Sequence, residues 1–469
     1  CFFEHIIILY IKNLTLQLNI YMATVKITDL PQFTGPLVGT EVIPIVQSQI
    51  TRQAPLNSIT NFLSSGNDGL LPSSELQSIS GNWQSTYDSY NSLSGGYISS
   101  NVSNTFTVKQ TIQGQLQATC LHGGFETSND GIFSSVLGGY YSNIDGNASV
   151  IGSGYNNNIV GDCSGVVAGK DNCVIGSCSF IGGGACNTTS CGTSVIVGGC
   201  CNTASSNESF IGGGSNNVAS GECSVIGGGT NNIASCFKST VGGGDTNCSS
   251  DFYSTVGGGW DNCARGNYSV VAGGLCGDAC ADGATIAGGR DNTASGTCSF
   301  IGSGCANIAS GSSAVIGGGR INCACVLDSS VGGGSCNIAG GRGSTVAGGE
   351  QNFTCCSYST IAGGFSSRST ALYSNIGGGQ YNNANGNFST IAGGKLNIAS
   401  GIASAAIGGG SENTASNSYS TTAGGFCNTA AGSSSTIAGG FSSCAAGACS
   451  FIGGGACNCV THAYSSAIG

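Results

Sequence analysis

Residues Ser299–Asp328 read SFIGSGCANIASGSS AVIGGGRINCACVLD, and they decide the fold because the second half repeats the first at an interval of 15 residues. In each half an aliphatic anchor, Ile301 or Ile316, precedes a glycine cluster, and an asparagine, Asn307 or Asn322, follows six residues after it. Self-similarity at a short fixed period is typical of solenoids, in which each repeat stacks on its neighbours. The sequence therefore predicts a stack of repeated coils rather than a set of globular domains.

The same period extends in both directions from this stretch. Anchors are predicted at Leu121 and Val136 near its start, one inserted residue moves the register to Ile407, and Ile468 begins a last, incomplete unit. Counted from the anchor, a glycine at position +3 occurs in all 23 complete units and an asparagine at position +6 in 18 of them. The glycine predicts a turn with positive φ or a contact too close for a β-carbon. The stacked asparagines predict amide hydrogen-bond ladders.

Two alternating stretches in each unit, S-x-I-x-G and N-x-A-x-G, have the period of two that is typical of strands. We therefore expect an all-β chain in which residues 121–469 form a parallel β-solenoid, or β-roll, of about 24 fifteen-residue coils spaced about 4.8 Å apart. Positions +6, +8, +10 and +13 are expected to face inward. Because each coil has only a small apolar core, we also expect burial between chains.

The composition agrees with such an array and excludes several other classes of protein. Glycine accounts for 83 of 469 residues, but without the strict period of three that collagen needs, and 40% of residues are hydrophobic, which argues against disorder. The net charge is −10 and the 12 lysines and arginines form no basic stripe, so we expect no nucleic-acid binding. The apolar run Phe2–Ile11 is too short to span a bilayer, so we expect no membrane insertion.

The chain outside the array divides into shorter segments. Residues 1–21 precede the only methionine, Met22, and are expected to be an untranslated leader or a non-native extension, and the array is expected to be truncated at its C-terminus. Residues 65–100 predict a linker and a trimeric coiled-coil neck, with an ordinary amphipathic helix as the alternative. The heptad positions are Leu76, Ile79, Trp83, Thr86, Tyr90, Leu93 and Tyr97. Residues 101–120 alternate like a strand that leads into the first coil.

The repeats resemble those of a known family. The repeat resembles the head repeats of YadA-like trimeric autotransporter adhesins, although the unit is longer than is common there. The matching positions are the anchor, as at Ile301, the glycine, as at Gly304, and Asn307, Ala309 and Ser299. The resemblance implies a trimeric β-roll. It carries over no functional residue, because all the matching positions are structural.

The segment 22–64 resembles a different group of proteins. It is similar to a module at the start of phage and large-virus tail-fibre proteins. The similarity lies in Lys26–Pro31, which reads KITDLP, and in Leu37–Gln47, which reads LVGTEVIPIVQ. This resemblance implies that residues 22–64 are a particle-attachment module. Together the two resemblances imply a homotrimer that binds an attachment site on a virion.

Position +4, directly after the glycine turn, is the most variable position of the repeat. Its aromatic and charged residues suit multivalent contact with a host-surface glycan or protein, and packing between the chains of a trimer is the alternative. The candidate surface-contact residues are Tyr140, Tyr155, Trp260, Arg290, Arg320, Phe365, Phe426 and Phe441.

The 27 cysteines are the other chemically distinctive group. Most fall at positions +5, +7, +9 or +12, which are expected to face outward, and cysteines at the same position of adjacent coils have Cα atoms about 4.8 Å apart, within disulfide range. Cross-coil or interchain disulfides are expected, with free thiols as the alternative. The candidate pairs are Cys163 and Cys178, Cys186 and Cys201, and Cys248 and Cys263.

The sequence contains few residues of the kinds that catalyse reactions. The three histidines, His5, His122 and His462, are too scattered for a triad or a metal site, so no catalytic residue, metal or cofactor is expected. Asp261 and Asp291 share one position two coils apart, which leaves a glycan-degrading tailspike as an alternative.

The expected function is that of a non-enzymatic fibre on the virion surface, which projects the solenoid for host attachment. A trimeric adhesin stalk on a cell surface is the alternative. An ice-binding solenoid is a further alternative, because threonines recur at one outward position, although phenylalanines interrupt them. The threonines are Thr240, Thr255, Thr345, Thr360 and Thr390, and the phenylalanines are Phe180, Phe210 and Phe300.

Overall fold

The computed structural model describes residues 42–47, 50–55, 120–122 and 124–469, and this part of the chain is all-β, without a helix. The chain divides into two units, residues 1–117 and 118–469. In the first unit, β1 (Val42–Gln47) and β2 (Ile50–Pro55) form an antiparallel pair within the predicted attachment module. The predicted leader, the rest of that module, the predicted neck and residues 101–119 lie outside the described residues.

The second unit is a parallel β-solenoid of about 23 coils, as the sequence predicts. Each coil contributes one short strand to each of two parallel ladders, so a strand pairs with the equivalent strands of the preceding and the following coil. We call the ladder that contains the anchors the anchor sheet and the other ladder the second sheet. Position +4 of successive coils adds a third row of parallel bridges.

The strand bounds repeat from coil to coil. The strands of the anchor sheet are Cys120–His122, Ser134–Val136, Val150–Ile151, Gly165–Val166, Phe180–Ile181, Val195–Ile196, Phe210–Ile211, Val225–Ile226, Thr240–Val241, Thr255–Val256, Val270–Val271, Thr285–Ile286, Phe300–Ile301, Val315–Ile316, Ser330–Val331, Thr345–Val346, Thr360–Ile361, Asn375–Ile376, Thr390–Ile391, Ala406–Ile407, Thr421–Thr422, Thr436–Ile437, Phe451–Ile452 and Ser466–Ala467. The strands of the second sheet are Ser128–Asn129, Asn143–Ile144, Asn158–Ile159, Cys173–Val174, Thr188–Thr189, Thr203–Ala204, Val218–Ala219, Ile233–Ala234, Cys248–Ser249, Cys263–Ala264, Asp278–Ala279, Thr293–Ala294, Ile308–Ala309, Cys323–Ala324, Ile338–Ala339, Phe353–Thr354, Arg368–Ser369, Asn383–Ala384, Ile398–Ala399, Thr414–Ala415, Thr429–Ala430, Cys444–Ala445 and Cys459–Val460.

One coil contains 16 residues, and the extra residue lies at a corner. Ile391 pairs with Ile407, as the sequence predicts, and the bridge from Asn387 to Ala403 shows the same shift. Ile402, in that corner, is 80% exposed. An insertion within a strand would turn every following side chain to the opposite face, so the corner is where the fold accommodates it.

The predicted anchors at the two ends of the array are wrong by one residue. His122, not Leu121, pairs with Val136. At the other end the last coil keeps its 15 residues, so Ala467 pairs with Ile452, and the bulkier Ile468 lies 83% exposed. The backbone hydrogen-bond register of the preceding strand therefore outweighs the greater hydrophobicity of Ile468 at that end.

The core of the solenoid is one residue deep on each sheet. Anchors such as Ile301 are fully buried, and so is the residue at +8, which is often alanine, as at Ala309. Asn307 at +6 and Ser299 at +13 of its coil are buried as well. The predicted inward positions +6, +8 and +13 are therefore confirmed, and small residues at +8 let the two sheets approach closely. Position +10 is buried where it is glycine, as at Gly311, but Asp251 is half-buried and Asn417 exposed there, so that prediction is wrong for the larger side chains.

The glycine at +3 meets both conditions that the sequence predicts. In Gly304 φ is +106°, and across all coils φ at this position lies between +83 and +122°. A β-carbon on Gly304 would also lie well inside contact distance of the carbonyl oxygen of Gly319, one coil further on. Side chains are therefore excluded here both by the backbone conformation and by the stacking.

The buried asparagines form the predicted ladder. Asn307 Nδ2 lies 3.2 Å from Asn292 Oδ1, and the backbone N–H of Asn307 donates to the same oxygen at 3.0 Å. Nδ2 also donates to the carbonyl oxygens of Ser303 and Gly319. The asparagine thus satisfies the carbonyl oxygen of Ser303, and it shares the carbonyl oxygen of Gly319 with the backbone N–H of Cys305.

Candidate functional site

The candidate surface-contact residues lie along one continuous edge, which we call the +4 edge. Position +4 forms one parallel bridge per coil, from Phe125 to Ala456. Side chains of successive coils are therefore about 4.8 Å apart along this edge. Trp260, Arg290 and Arg320 are exposed on it, and Phe365 is half-buried.

Aromatic residues cluster at the N-terminal end of the +4 edge. The rings of Phe125 and Tyr140 are 5.9 Å apart, and those of Tyr141 and Tyr155 are 5.5 Å apart at 74°. Lys170 Nζ lies 5.6 Å from the centroid of Tyr155. The two predicted residues Tyr140 and Tyr155 therefore belong to one exposed aromatic patch on adjacent coils.

The other predicted residues of this edge are more dispersed. Phe426 and Phe441 stack at 5.5 Å, whereas Phe365 contacts Tyr381 edge-on at 5.3 Å. Arg290 forms an ion pair with its neighbour Asp291, in which Arg290 Nε lies 3.2 Å from Asp291 Oδ2. Along the +4 edge, the structure thus brings the predicted residues together in two pairs, Tyr140 with Tyr155 and Phe426 with Phe441.

A second aromatic edge lies at position +12 and was missed by the sequence analysis. Tyr253 and Tyr268 stack at 5.0 Å with an interplanar angle of 3°. Tyr373 stacks on Tyr358 at 5.1 Å and on Phe388 at 5.1 Å. The signal in the sequence for this edge is the recurrence of aromatic residues at +12, as at Tyr253 and Tyr268.

Both corners hold their outward side chains by an uncommon backbone conformation. Non-glycine residues at +5 and +12 have φ between 47 and 60°, the left-handed region. Their N–H groups point backward along the stack, as when Cys178 donates to the carbonyl oxygen of Asp162 at 2.7 Å. The backward hydrogen bond satisfies the N–H group of each corner residue and fixes the corner, so the side chain projects into solvent.

The three predicted cysteine pairs occupy three different surroundings, and all six are free thiols in this structure. Cys163 and Cys178 are exposed at the +12 corner of adjacent coils. Cys201 hydrogen-bonds with its neighbour Cys200, which raises the pKa of Cys201 to about 11, and Cys186 on the preceding coil adds to the effect.

Cys248 and Cys263 are direct register partners on adjacent strands of the second sheet. A hydrogen bond with the Cys263 thiol lowers the pKa of Cys248 to about 6, against the opposing effect of burial, and raises the pKa of Cys263. Ser250 and Arg265 also lower the pKa of Cys248, and Asp278 raises it. This pair is thus the most polarised thiol pair of the described residues.

One disulfide is present that the sequence analysis did not predict. It joins Cys323 and Cys325, which lie on and just after one strand of the second sheet, two residues apart. The period of 15 residues aligns cysteines on adjacent coils, whereas these two cysteines belong to one coil.

Asp261 and Asp291, the carboxylates of the tailspike alternative, both lie at the +5 corner with Cys276 between them. The Cys276 thiol contacts Asp261 Oδ2 at 3.7 Å, and burial followed by the Asp261 charge raises the pKa of that thiol. Asp291 is paired with Arg290. The two carboxylates are therefore separated by a third side chain and engaged with different neighbours.

The outer side of the anchor sheet carries no charge. We call positions +14, +1 and +2 of the coils in residues 134–469 the uncharged face. It contains valine, phenylalanine, threonine, alanine and glycine, and none of its residues is Lys, Arg, Asp or Glu. Val150 and Val315 are about two-fifths exposed on it, and the threonines of the ice-binding alternative lie in its +14 row. Charged residues are confined to the two corners and the outer side of the second sheet.

Within the described residues, no cluster of three His, Cys, Asp or Glu could hold a metal ion. The same part of the chain contains no helix that could cross a membrane. No model of a known protein family matches the chain, and no curated protein matches it.

Proposed function

We propose that the protein is a non-enzymatic trimeric fibre of a virus particle, which attaches to the particle through residues 22–64 and projects the solenoid toward a host surface. The uncharged face is the observation that carries the assembly part of this proposal. The particle end rests on the resemblance of Lys26–Pro31 and Leu37–Gln47 to tail-fibre proteins.

The size of the uncharged face suits association with further copies of the chain. About 23 coils at about 4.8 Å make a strip of roughly 110 Å, and three residues across make it about 10 Å wide. Its area of about 1,100 Å² exceeds the roughly 800 Å² that each partner contributes to a stable interface. A solvent-facing strip has no physical reason to exclude charge, whereas a strip that is buried between chains has one.

The shape of the face favours a copy of the same chain as its partner. The glycines at +2 project no side chain, so another backbone could approach closely. A second solenoid has the same spacing between coils, so its rows of valine and threonine would match at every coil. Three chains arranged about one axis would bury all three faces and leave none for further association.

The +4 edge borders this face and remains available for host contact. Its row includes Lys170, Arg290, Arg320 and Lys395 among the aromatics, and such charged groups favour solvent. Repeated weak contacts along a trimer would give avidity toward a glycan or protein surface. If Trp260→Ala and Phe365→Ala leave binding to host cells unchanged, the +4 edge is not the recognition surface.

The trimer is tested by placing charge on the uncharged face. Thr285→Glu and Thr345→Glu put carboxylates on the anchor sheet, and Thr293→Glu puts one on the second sheet as a matched control, since all three threonines are half-buried strand residues. Sedimentation equilibrium should give a trimer for the original chain and for Thr293→Glu, and monomers for the other two. A monomeric original chain, or equal effects of all three changes, would contradict the proposal.

Particle attachment is tested separately. The full chain should co-sediment with purified virus particles, and removal of residues 22–64 should abolish co-sedimentation without changing the oligomeric state. Recovery with cell envelopes rather than particles would instead support the cell-surface stalk.

A further inference from the structure

Cys248 and Cys263 have the geometry of a pair that can form a disulfide. They face each other across adjacent parallel strands and share position +7, on the outer side of the second sheet. Their Cα atoms are thus about 4.8 Å apart by the strand spacing, within the range for a disulfide. Both are half-buried, so solvent and small reagents can reach them.

The charged groups around this pair form a small network. Arg265 follows Cys263 by two residues and lies on the same side of the sheet, where its Nη1 contacts Asp278 Oδ2 at 2.8 Å. The positive charge of the guanidinium favours the thiolate form of both cysteines, and Ser250 also lowers the pKa of Cys248. Hydrogen bonding from Cys263 and a nearby cation both favour the thiolate of Cys248.

The chain contains a matched pair without the cation. Cys444 and Cys459 also share position +7 and are register partners on adjacent strands. No arginine or lysine lies in this part of the array, and burial followed by the effect of Cys459 raises the pKa of Cys444. Position and spacing alone therefore do not produce a stabilised thiolate.

We propose that Cys248 is a reactive nucleophile with Cys263 as its resolving thiol, so that exchange with a low-molecular-weight disulfide forms a staple between two coils. The Cys248 thiolate attacks one sulfur of the reagent, forms a mixed disulfide and releases one thiolate. Cys263 then loses its proton to solvent, attacks the Cys248 sulfur and releases the second thiolate. The two electrons that the cysteine pair loses reduce the reagent to two thiols. This inference does not depend on the proposed fibre function.

Alkylation of the reduced full chain measures the reactivity of Cys248 as a nucleophile. With iodoacetamide at pH 6.5 and mass spectrometry of each peptide, Cys248 should react about 10-fold faster than Cys444, since its larger thiolate fraction outweighs the lower nucleophilicity of a weakly basic thiolate. Its rate should rise with pH up to about 6 to 7 and then level off, while that of Cys444 should still rise above pH 8. Arg265→Gln should slow Cys248 a few-fold without changing Cys444.

Exchange with oxidised glutathione tests whether Cys263 acts as the resolving thiol. The original chain should yield the Cys248–Cys263 disulfide, whereas Cys263→Ser should stop at a glutathione adduct on Cys248, and Cys248→Ser should leave Cys263 unmodified. Hydrogen exchange of the neighbouring coils shows whether each variant keeps the fold. Equal rates at Cys248 and Cys444, or a lasting adduct in the original chain, would overturn the proposal.

Discussion

Asn307 Nδ2 donates a hydrogen bond to the carbonyl oxygen of Gly319, one coil further along, at 3.0 Å. The Oδ1 of the same side chain accepts the backbone N–H of Asn322 at 3.0 Å. Because Asn307 also bonds to Asn292 on the preceding coil, one buried amide connects three coils. A row of buried asparagine side chains thus holds the stack together, and the sequence indicates this row by the asparagine that recurs at position +6.

Asn307→Ala should destabilise its own coil and both neighbours. The change leaves the N–H of Asn322 and the carbonyl oxygen of Ser303 without their partner, at a cost of about 2 to 4 kcal/mol, while the carbonyl oxygen of Gly319 keeps the backbone N–H of Cys305. Native-state hydrogen exchange is the suitable measurement, because coils of a repeat array open locally. Asn307→Ser is the control, since Ser367 occupies the same position and still accepts the N–H of Asn382. Equal losses for alanine and serine would contradict this role.

Two adjacent glycines should respond differently to the same substitution. Gly289 has φ of +96° and its added β-carbon would meet the backbone of Gly304, whereas a β-carbon on Gly288 would meet nothing within 4 Å. Gly289→Ala should therefore cost about 1 to 3 kcal/mol in backbone strain, with the steric conflict in addition, whereas Gly288→Ala should leave the stacking within the chain nearly unchanged and act only on association between chains. Hydrogen exchange of the coils that begin at Ile286 and Ile301 distinguishes the two. Similar effects would mean that the stacking does not restrict position +3.

Two isoleucines of one coil provide a test of which positions form the core. Ile301 is fully buried at the anchor, and Ile308 is 45% exposed at position +7. Ile301→Ala should cost about 2 to 5 kcal/mol because it leaves a cavity between stacked coils, while Ile308→Ala should change local stability by less than about 1 kcal/mol. The same hydrogen-exchange measurement compares them directly. A larger loss for Ile308 would mean that its side of the second sheet is buried in the assembly.

The repeat made most of the solenoid predictable, and the exceptions have physical causes. The period placed the inserted residue before Ile407, and the inward positions +6, +8 and +13, the glycine turn and the asparagine ladder were confirmed, whereas +10 is buried mainly where it is glycine. At the C-terminal end, hydrophobicity favours Ile468 as the anchor, but the backbone register continues the 15-residue period at Ala467. At the N-terminal end, the pairing of His122 with Val136 departs from that period by one residue. The lowered pKa of Cys248 depends first on Cys263 and then on Arg265, against the effect of Asp278, and these residues lie near Cys248 only after the next two coils have stacked.

The aromatic edge at +12 should stabilise the corner where its rings stack. Tyr373 lies between Tyr358 and Phe388 with ring centroids 5.1 Å from each, whereas Tyr419, at the same position, is 61% exposed and takes part in no ring contact within the described residues. Both have φ near 55 to 60°, so alanine imposes the same backbone change in each.

Tyr373→Ala should therefore lower local stability by about 1 to 3 kcal/mol, because two ring contacts are lost, and Tyr419→Ala by much less. Hydrogen exchange of the coils around each residue provides the comparison. If the two substitutions had the same effect, the stacked rings would contribute nothing to the corner, and their exposure would then favour a role in binding over one in stability.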